Sequence, residues 1–174
     1  MKDSKDKIYS FRDSNRIGKL GEQEVLGYLE KILPNLNKIE NVTLNKEYQK
    51  KDIDAILHFI NGEKISIEVK TDTHEEPKYF AYEAWSSLED STPGCMVACE
   101  ADLLFYFFCK TGELFQIKLQ DYKEWVEKNK FNFREILVKN SSWTKEYNSV
   151  VYLIPKEMLK ASFKSVVIYN VKHL

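Results

Sequence analysis

Apolar residues recur with two different periods along this chain, and the change in period predicts where helices give way to strands. Between Asn15 and Leu33 the apolar residues follow helical spacing, and Pro34 comes directly after them. This pattern predicts a first helix that ends before the proline, because the proline ring cannot continue it. The charged stretch 1–14 precedes this helix and is expected to be flexible.

Short apolar runs separated by turn residues follow the first helix. They predict strands over 38–48, 52–60, 63–71, 79–85, 103–109, 114–117, 150–154 and 166–171. Short helices are predicted over 96–101, 121–130 and 155–160. The stretch 60–63 has the composition of a tight turn, so the strands on either side of it are expected to form a hairpin. The run 103–109 is apolar throughout, as expected of a strand that is covered on both faces.

Composition limits the classes of protein that this chain can belong to. Its 174 residues suit one domain with a real core, and no repeat or Gly/Ser-rich linker divides them. We therefore predict a single α/β domain over 15–174. The 26 basic and 27 acidic residues give a formal net charge of −1, which argues against a protein that coats nucleic acid. This charge is compatible with an enzyme that has a local basic groove.

The sequence shows neither a targeting signal nor a cysteine pattern typical of a metal site. No apolar run reaches membrane-spanning length and the N-terminus lacks the apolar core of a secretion signal, so we expect a cytoplasmic protein with no membrane partner. Cys95, Cys99 and Cys109 lack a second pair of ligands. We interpret them as free thiols rather than as a zinc site.

The strongest chemical pattern lies in the predicted hairpin. Glu68 and Lys70 are two residues apart in a strand, so both side chains leave the same face. Asp54 lies in the preceding strand, which can bring two carboxylates and an ammonium together at one edge of a sheet. This is the minimum set for binding a divalent metal and activating water against a phosphodiester. Asp52 could take the place of Asp54, but we favour Asp54 because a buried run, Ala-Ile-Leu, follows it.

Glu22 in the first helix extends the pattern. Glu22, Asp54, Glu68 and Lys70 occur in an order that resembles the PD-(D/E)xK phosphodiesterase superfamily, which includes many restriction enzymes, Holliday-junction resolvases and phage nucleases. The resemblance covers about residues 16 to 110, and the proline of the first half-motif is missing. It implies a restriction-endonuclease-like fold, in which helices flank a central mixed β-sheet. It also implies an endonuclease that hydrolyses DNA with Mg²⁺ or Mn²⁺.

The resemblance implies a role for each of these residues. Asp54 and Glu68 would ligate the metal, and Glu22 would act on it directly or through water. Lys70 would orient or deprotonate the attacking water. Strings further along the chain look like a phage-associated branch of the superfamily. They give weaker candidates for contact with the substrate or with the metal ligands, namely Gln49, Asp72, Lys78, Glu83 and Asp102.

Two other hypotheses remain open at this point. A Glu-x-Lys pair is common in amphipathic strands, where it amounts to one surface ion pair. The chain is then either a catalytically silent nuclease-fold protein that binds or assembles, or an unrelated protein in which the strand pair is structural. The joint occurrence of the four residues favours the nuclease. The sequence does not specify whether the DNA is branched or duplex, and a homodimer is one expected arrangement because many such nucleases act as symmetric dimers.

Overall fold

The structure, a computed structural model, describes residues 11–141, 146–163 and 166–171. Within these residues, helices α1 to α5 cover Phe11–Ile32, Lys46–Gln49, Cys95–Ala98, Leu119–Asn129 and Lys156–Ser162. Strands β1 to β10 cover Leu36–Asn41, Ala55–Phe59, Lys64–Asp72, Tyr79–Ser87, Thr92–Pro93, Leu103–Phe108, Glu113–Lys118, Arg134–Ser141, Glu146–Pro155 and Val167–Asn170. A 3₁₀ turn covers Lys130–Asn132. No helix in the described part of the chain is both long enough and apolar enough to cross a membrane.

The strands form two sheets, which confirms a mixed α/β chain. Six strands lie in the order β1-β2-β3-β6-β7-β10. The pair β3 and β6 is parallel, with Ile67 opposite Leu103, and the other pairs are antiparallel. The chain between β3 and β6 contributes β4 and β5 to a second, antiparallel sheet with the order β5-β4-β9-β8.

Hydrophobic side chains cover both faces of the six-stranded sheet. On one face, α1 packs through Val25 and Leu29 against Ile67 and Phe105. On the other face, the second sheet packs through Phe80, whose ring meets the rings of Tyr106, Phe108 and Phe115 edge-on at centroid distances of 4.8, 5.1 and 4.9 Å. Strand β6 lies between these two clusters, which confirms that the run 103–109 is covered on both faces.

The predicted hairpin is confirmed. Gly62 has a φ of 86°, in the left-handed region that glycine adopts without a steric penalty. The Phe59 N–H donates to the Glu63 carbonyl at 2.9 Å, which closes the turn. In β2 and β3, the two strands that this turn connects, Ala55 lies opposite Ile67. The turn therefore sets the register that brings the residues before β2 beside the middle of β3.

Several predicted boundaries are wrong. The strand predicted over 38–48 ends at Asn41, because the Asn45 side chain accepts from the Glu47 N–H at 3.0 Å and begins α2. The strand predicted from 52 begins at Ala55, and the helix predicted over 96–101 ends at Ala98. The helix predicted over 155–160 is present as α5, Lys156–Ser162, and Pro155 is both its N-cap residue and the last residue of β9.

The ends of the chain also differ from the prediction. Helix α1 begins at Phe11, four residues before the helix predicted from Asn15. Of the stretch 1–14, which we expect to be flexible, 1–10 lie outside the described residues. Strand β8 was not predicted at all. Its sequence alternates too weakly to stand out, and it forms by pairing with β9, where Leu137 lies opposite Val150. Cys95, Cys99 and Cys109 form no disulfide bond within the described part of the chain.

Helix α1 makes a very close approach to β3 at Gly21. A Cβ atom there would lie 2.1 Å from Oγ1 and 2.8 Å from Cβ of Thr71. We expect Gly21→Ala to lower the free energy of unfolding by about 1–3 kcal/mol, since the clash outweighs the roughly 1 kcal/mol that alanine gains in a helix. Urea unfolding measures this change.

A second glycine of the same helix supplies the control for this prediction. A Cβ atom at Gly27 has no atom within 4 Å, so Gly27→Ala should raise the free energy of unfolding by about 0.5–1 kcal/mol. Equal effects at Gly21 and Gly27 would contradict the close packing of α1 on β3. This packing matters for the site, because the next residue of α1 is Glu22.

Candidate active site

A surface cleft opens where β2 stops covering the edge of β3. Strand β2 begins at Ala55, opposite Ile67, so the next residues of β3 have no β2 partner. Helix α1 lies along one side of this gap, and the residues that follow β1, Thr43 and Leu44, lie along a second side. The cleft is lined by residues from all of these segments, including Glu22, Asn41, Thr43, Asp54, Glu68 and Lys70.

Asp54 is fixed at the mouth of the gap by hydrogen bonds to β3. Its backbone N–H donates to the Ile67 carbonyl at 2.9 Å. Its side-chain Oδ2 accepts from the Val69 N–H, also at 2.9 Å. The carboxylate thus occupies the place that a β2 residue would take in the ladder. This position holds it next to Glu68.

Glu68 and Lys70 leave the same face of β3, as the strand period predicted. The Lys70 ammonium lies 2.6 Å from Glu68 Oε1. The Glu68 side chain is only 5% exposed, whereas the Lys70 side chain is 32% exposed. The pair therefore places a buried carboxylate at the base of the cleft and a more accessible cation beside it.

Burial and proximity change the acidities of these groups. Burial, with a smaller contribution from the charge and hydrogen bond of Asp54, raises the pKa of Glu68 to about 8 against the opposing effect of Lys70. Burial by itself would lower the pKa of Lys70, but the Glu68 carboxylate raises it overall. The two carboxyl groups of Asp54 and Glu68 are thus close enough to repel each other when both are ionised.

Glu22 faces the cleft from α1. Burial and the Asp54 charge raise the pKa of Glu22, while a hydrogen bond from Asn41 lowers it. That bond joins Asn41 Nδ2 to Glu22 Oε1 at 2.7 Å. Asn41 also ties down the next segment, because its Oδ1 accepts from the N–H and hydroxyl of Thr43 at 3.1 and 2.6 Å. No motif in the sequence points to Asn41, since its place beside α1 depends on the pairing of β1 with β2.

The donor set suits a hard cation with few protein ligands. Among the described residues, no three His, Cys, Asp or Glu side chains are grouped so that they could hold one metal ion. Asp54 and Glu68 form a pair of oxygen donors, and Glu22 lines the same cleft from α1. Mg²⁺ keeps several waters and needs only one or two carboxylates. The pair fits this requirement, while the residues that the structure describes form no closed site of three protein ligands.

Asp52 lies near the cleft without lining it. Its backbone is left-handed, with a φ of 49°. Burial raises the pKa of Asp52, Lys70 lowers it and Asp54 raises it. Asp54, in contrast, lines the cleft and is bonded to β3. The structure therefore brings Asp54, rather than Asp52, up against Glu68.

Two of the weaker candidates have structural partners close to the cleft. Glu83 Oε2 accepts from the Cys95 N–H at 3.1 Å and from the Ser86 hydroxyl at 3.0 Å, which ties the first turn of α3 to β4. The Gln49 side chain donates to the Thr43 carbonyl and braces the segment between β1 and α2. Both side chains act here on the backbone around the cleft.

The other weaker candidates lie elsewhere. Asp102 accepts from the N–H and hydroxyl of Ser66 at 2.7 and 2.6 Å and lines a separate cleft. Asp72 accepts from the N–H and ring Nδ1 of His74 at 2.7 and 2.8 Å. Asp72, His74 and Lys78 line a third cleft. The structure thus does not bring Asp72, Lys78 or Asp102 into the cleft of Asp54 and Glu68.

Comparison with known proteins finds no matching family model, no matching curated protein and no matching solved structure. The class that the fold defines is a mixed α/β chain built on a mixed six-stranded sheet.

Proposed function

We propose that this protein is a metal-dependent endonuclease that hydrolyses DNA phosphodiester bonds in the cleft between α1 and β3. One observation carries the proposal: Asp54 and Glu68, from neighbouring segments of a hairpin, meet beside Lys70 in an open cleft. The order of these residues along the chain, which resembles the PD-(D/E)xK superfamily, also supports it. A restriction-endonuclease-like arrangement of the sheet is part of the same proposal.

Asp54 and Glu68 would hold Mg²⁺ or Mn²⁺, because both present carboxylate oxygens to the same cleft. When bound, such a cation would lower the pKa of a coordinated water and offset charge on the phosphate. Glu22, held by Asn41, would contact the hydration shell from the α1 side. The hydrogen bond from the Val69 N–H fixes the direction of the Asp54 carboxylate before any ligand arrives.

Lys70 would act on the phosphate. Its ammonium lies at the Glu68 carboxylate and its side chain is about one-third exposed, so it can face both the carboxylate and an incoming phosphate oxygen. In hydrolysis the water oxygen bonds to phosphorus while the bond from phosphorus to one ester oxygen breaks, and the departing oxygen gains a proton. A fixed cation beside the phosphate stabilises the negative charge that builds up during this exchange.

Basic side chains around the cleft favour a polyanionic substrate despite the net charge of −1. Lys19 lines the cleft. Lys46 and Lys50 are exposed at α2, shortly after the cleft-lining residues Thr43 and Leu44. These charges are placed to contact phosphates on either side of the scissile bond.

The direct test combines cleavage with metal binding. Purified protein should nick or cut at least one DNA form (supercoiled, linear, flapped or four-way) with Mg²⁺ or Mn²⁺ and should stop when EDTA is added. In calorimetric titration, Asp54→Asn should weaken Mn²⁺ binding by at least about tenfold, because one of the two charged oxygen ligands is lost. Asp121→Asn, on α4, is the control and should bind Mn²⁺ like the wild type. A wild type that neither binds Mn²⁺ nor cuts any of these DNA forms would rule out the proposal.

The close ion pair of Glu68 and Lys70 favours a second candidate function. The ammonium already neutralises one carboxylate, and the described residues form no three-ligand group. A nuclease-like fold with this arrangement would serve as a catalytically silent binding or assembly protein. This candidate predicts DNA binding without Mn²⁺ binding, so the same titration separates the two functions.

A further inference from the structure

Strand β8 is the longest edge strand in the described part of the chain. It has 8 residues, whereas the other strands at sheet edges, β1, β10 and β5, have 6, 4 and 2. Edge strands carry unpaired backbone groups, and proteins commonly protect them by making them short or charged. β5 and β10 are short, and β1 carries Lys38 and Glu40. β8 has neither protection at its centre.

The centre of β8 is apolar and accessible. Leu137 is 60% exposed and Val138 is 38% exposed, and Ile136 is partly buried. Leu137 lies opposite Val150, which belongs to the buried core between the sheets. A strand added outside β8 would therefore extend an existing apolar surface. The charged residues of β8 flank this centre, with Glu135 before it and Lys139 after it.

We propose that β8 pairs in antiparallel fashion with β8 of a second copy of this chain, centred on Leu137. In this register Leu137 faces Leu137 of the second copy, and Ile136 faces Val138. Glu135 faces Lys139 of the second copy, and the two-fold axis repeats this pair. The sequence of the strand is thus complementary to its own reverse in charge and in hydrophobicity.

Neighbouring registers lose this complementarity. If the second copy is shifted by one residue so that Ile136 faces Leu137, Arg134 lies opposite Lys139, and these two side chains carry like charges. If the shift is in the other direction, Lys139 lies opposite the apolar Ile136 and loses its ion pair with Glu135. A register in which opposite charges pair on both sides of an apolar centre favours a second copy over an unrelated partner.

Pairing through β8 leaves the candidate active site open. The cleft lies on α1 and β3 of the six-stranded sheet, whereas β8 lies at the edge of the other sheet. The two four-stranded sheets would join into one continuous sheet across the two-fold axis. The proposal therefore does not depend on the nuclease activity, and either can fail alone.

Charge reversal tests the register with the full-length protein. Sedimentation velocity across the micromolar range should show a monomer–dimer equilibrium for the wild type. Lys139→Glu and Glu135→Lys should each raise the dimer Kd by about tenfold or more, because both symmetric ion pairs become like-charge contacts. An equimolar mixture of these two variants should form a heterodimer, since each chain then faces opposite charges on the other.

A matched control and a second variant complete the test. Lys128→Glu makes the same charge change on an exposed position of α4 and should leave the dimer Kd unchanged. Leu137→Lys should also abolish the dimer, and circular dichroism should show that its fold is retained. A wild type that stays monomeric at every concentration overturns the proposal. In that case β8 would be available to pair with a strand of another protein. A dimer that is insensitive to Leu137→Lys and to both charge reversals also overturns it.

Discussion

Lys70→Met should reduce DNA cleavage by about a thousandfold while leaving metal binding intact. The substitution keeps the length of the side chain but removes the cation that we assign to the phosphate. Asp54 and Glu68 keep their oxygens, and Glu68 loses the ammonium that now lies 2.6 Å from it. Mn²⁺ affinity should therefore be unchanged or higher. Single-turnover cleavage and calorimetric titration measure the two quantities separately.

Two further variants on β3 test whether Lys70 contributes to cleavage but not to metal binding. Lys64→Met removes a lysine from the same face of β3 at an exposed position that lines a different cleft, and it should cleave DNA like the wild type. Glu68→Gln should lose both cleavage and Mn²⁺ binding, because it removes a ligand. If Lys70→Met cleaves as fast as Lys64→Met, then Lys70 has no catalytic role and the assignment of the cleft is wrong.

The largest expected loss of stability comes from the ion pair between Glu113 and Lys156. The Lys156 side chain is only 8% exposed and its ammonium lies 4.2 Å from the ring centre of Phe108. Glu113→Ala would leave this buried charge without its carboxylate, and we expect it to cost about 2–4 kcal/mol in urea unfolding. Lys156→Met should cost only about 1 kcal/mol, because Glu113 is 26% exposed and keeps Lys160 at 3.7 Å.

The pH dependence of this loss has a defined sign. Burial by itself would raise the pKa of Glu113, but the hydrogen bonds from Lys156 and Thr111 lower it below the ordinary value of 4.5. The stabilisation is therefore complete above that value and is lost as pH falls through the lowered pKa of the folded state. The difference between wild type and Glu113→Ala should narrow in acid. Glu157→Ala, which removes an exposed partner of Lys160, is the control and should change stability by less than about 0.5 kcal/mol.

The sequence predicted those parts of the site that depend on local geometry. The two-residue period of a strand places Glu68 and Lys70 on one face, and the tight turn places Asp54 beside them. Neither inference needs knowledge of distant contacts. The proposed chemistry of these residues remains a prediction.

The parts that the sequence did not predict depend on distant pairing. Asn41 reaches Glu22 because β1 pairs with β2, and β8 exists because it pairs with β9. Asp102 is a predicted site residue only because the string around it looks like a phage-associated branch of the superfamily. The parallel alignment of β6 with β3 instead puts it beside Ser66, two residues before Glu68. Sequence spacing alone cannot show which end of a parallel strand a residue will occupy.

Because β3 pairs in parallel with β6, we expect the cleft to fold in an early and a late step. The hairpin that joins Asp54 to Glu68 is local and can close in about 1–10 μs in an isolated chain. Strand β6 must wait until the chain has passed through β4, β5 and α3, and contacts over such separations form slowly. We therefore expect Asp54 and Glu68 to come together before β6 pairs with β3. A divalent cation present at that stage would meet a pair of carboxylates still in water, where it can bind at a much smaller desolvation cost.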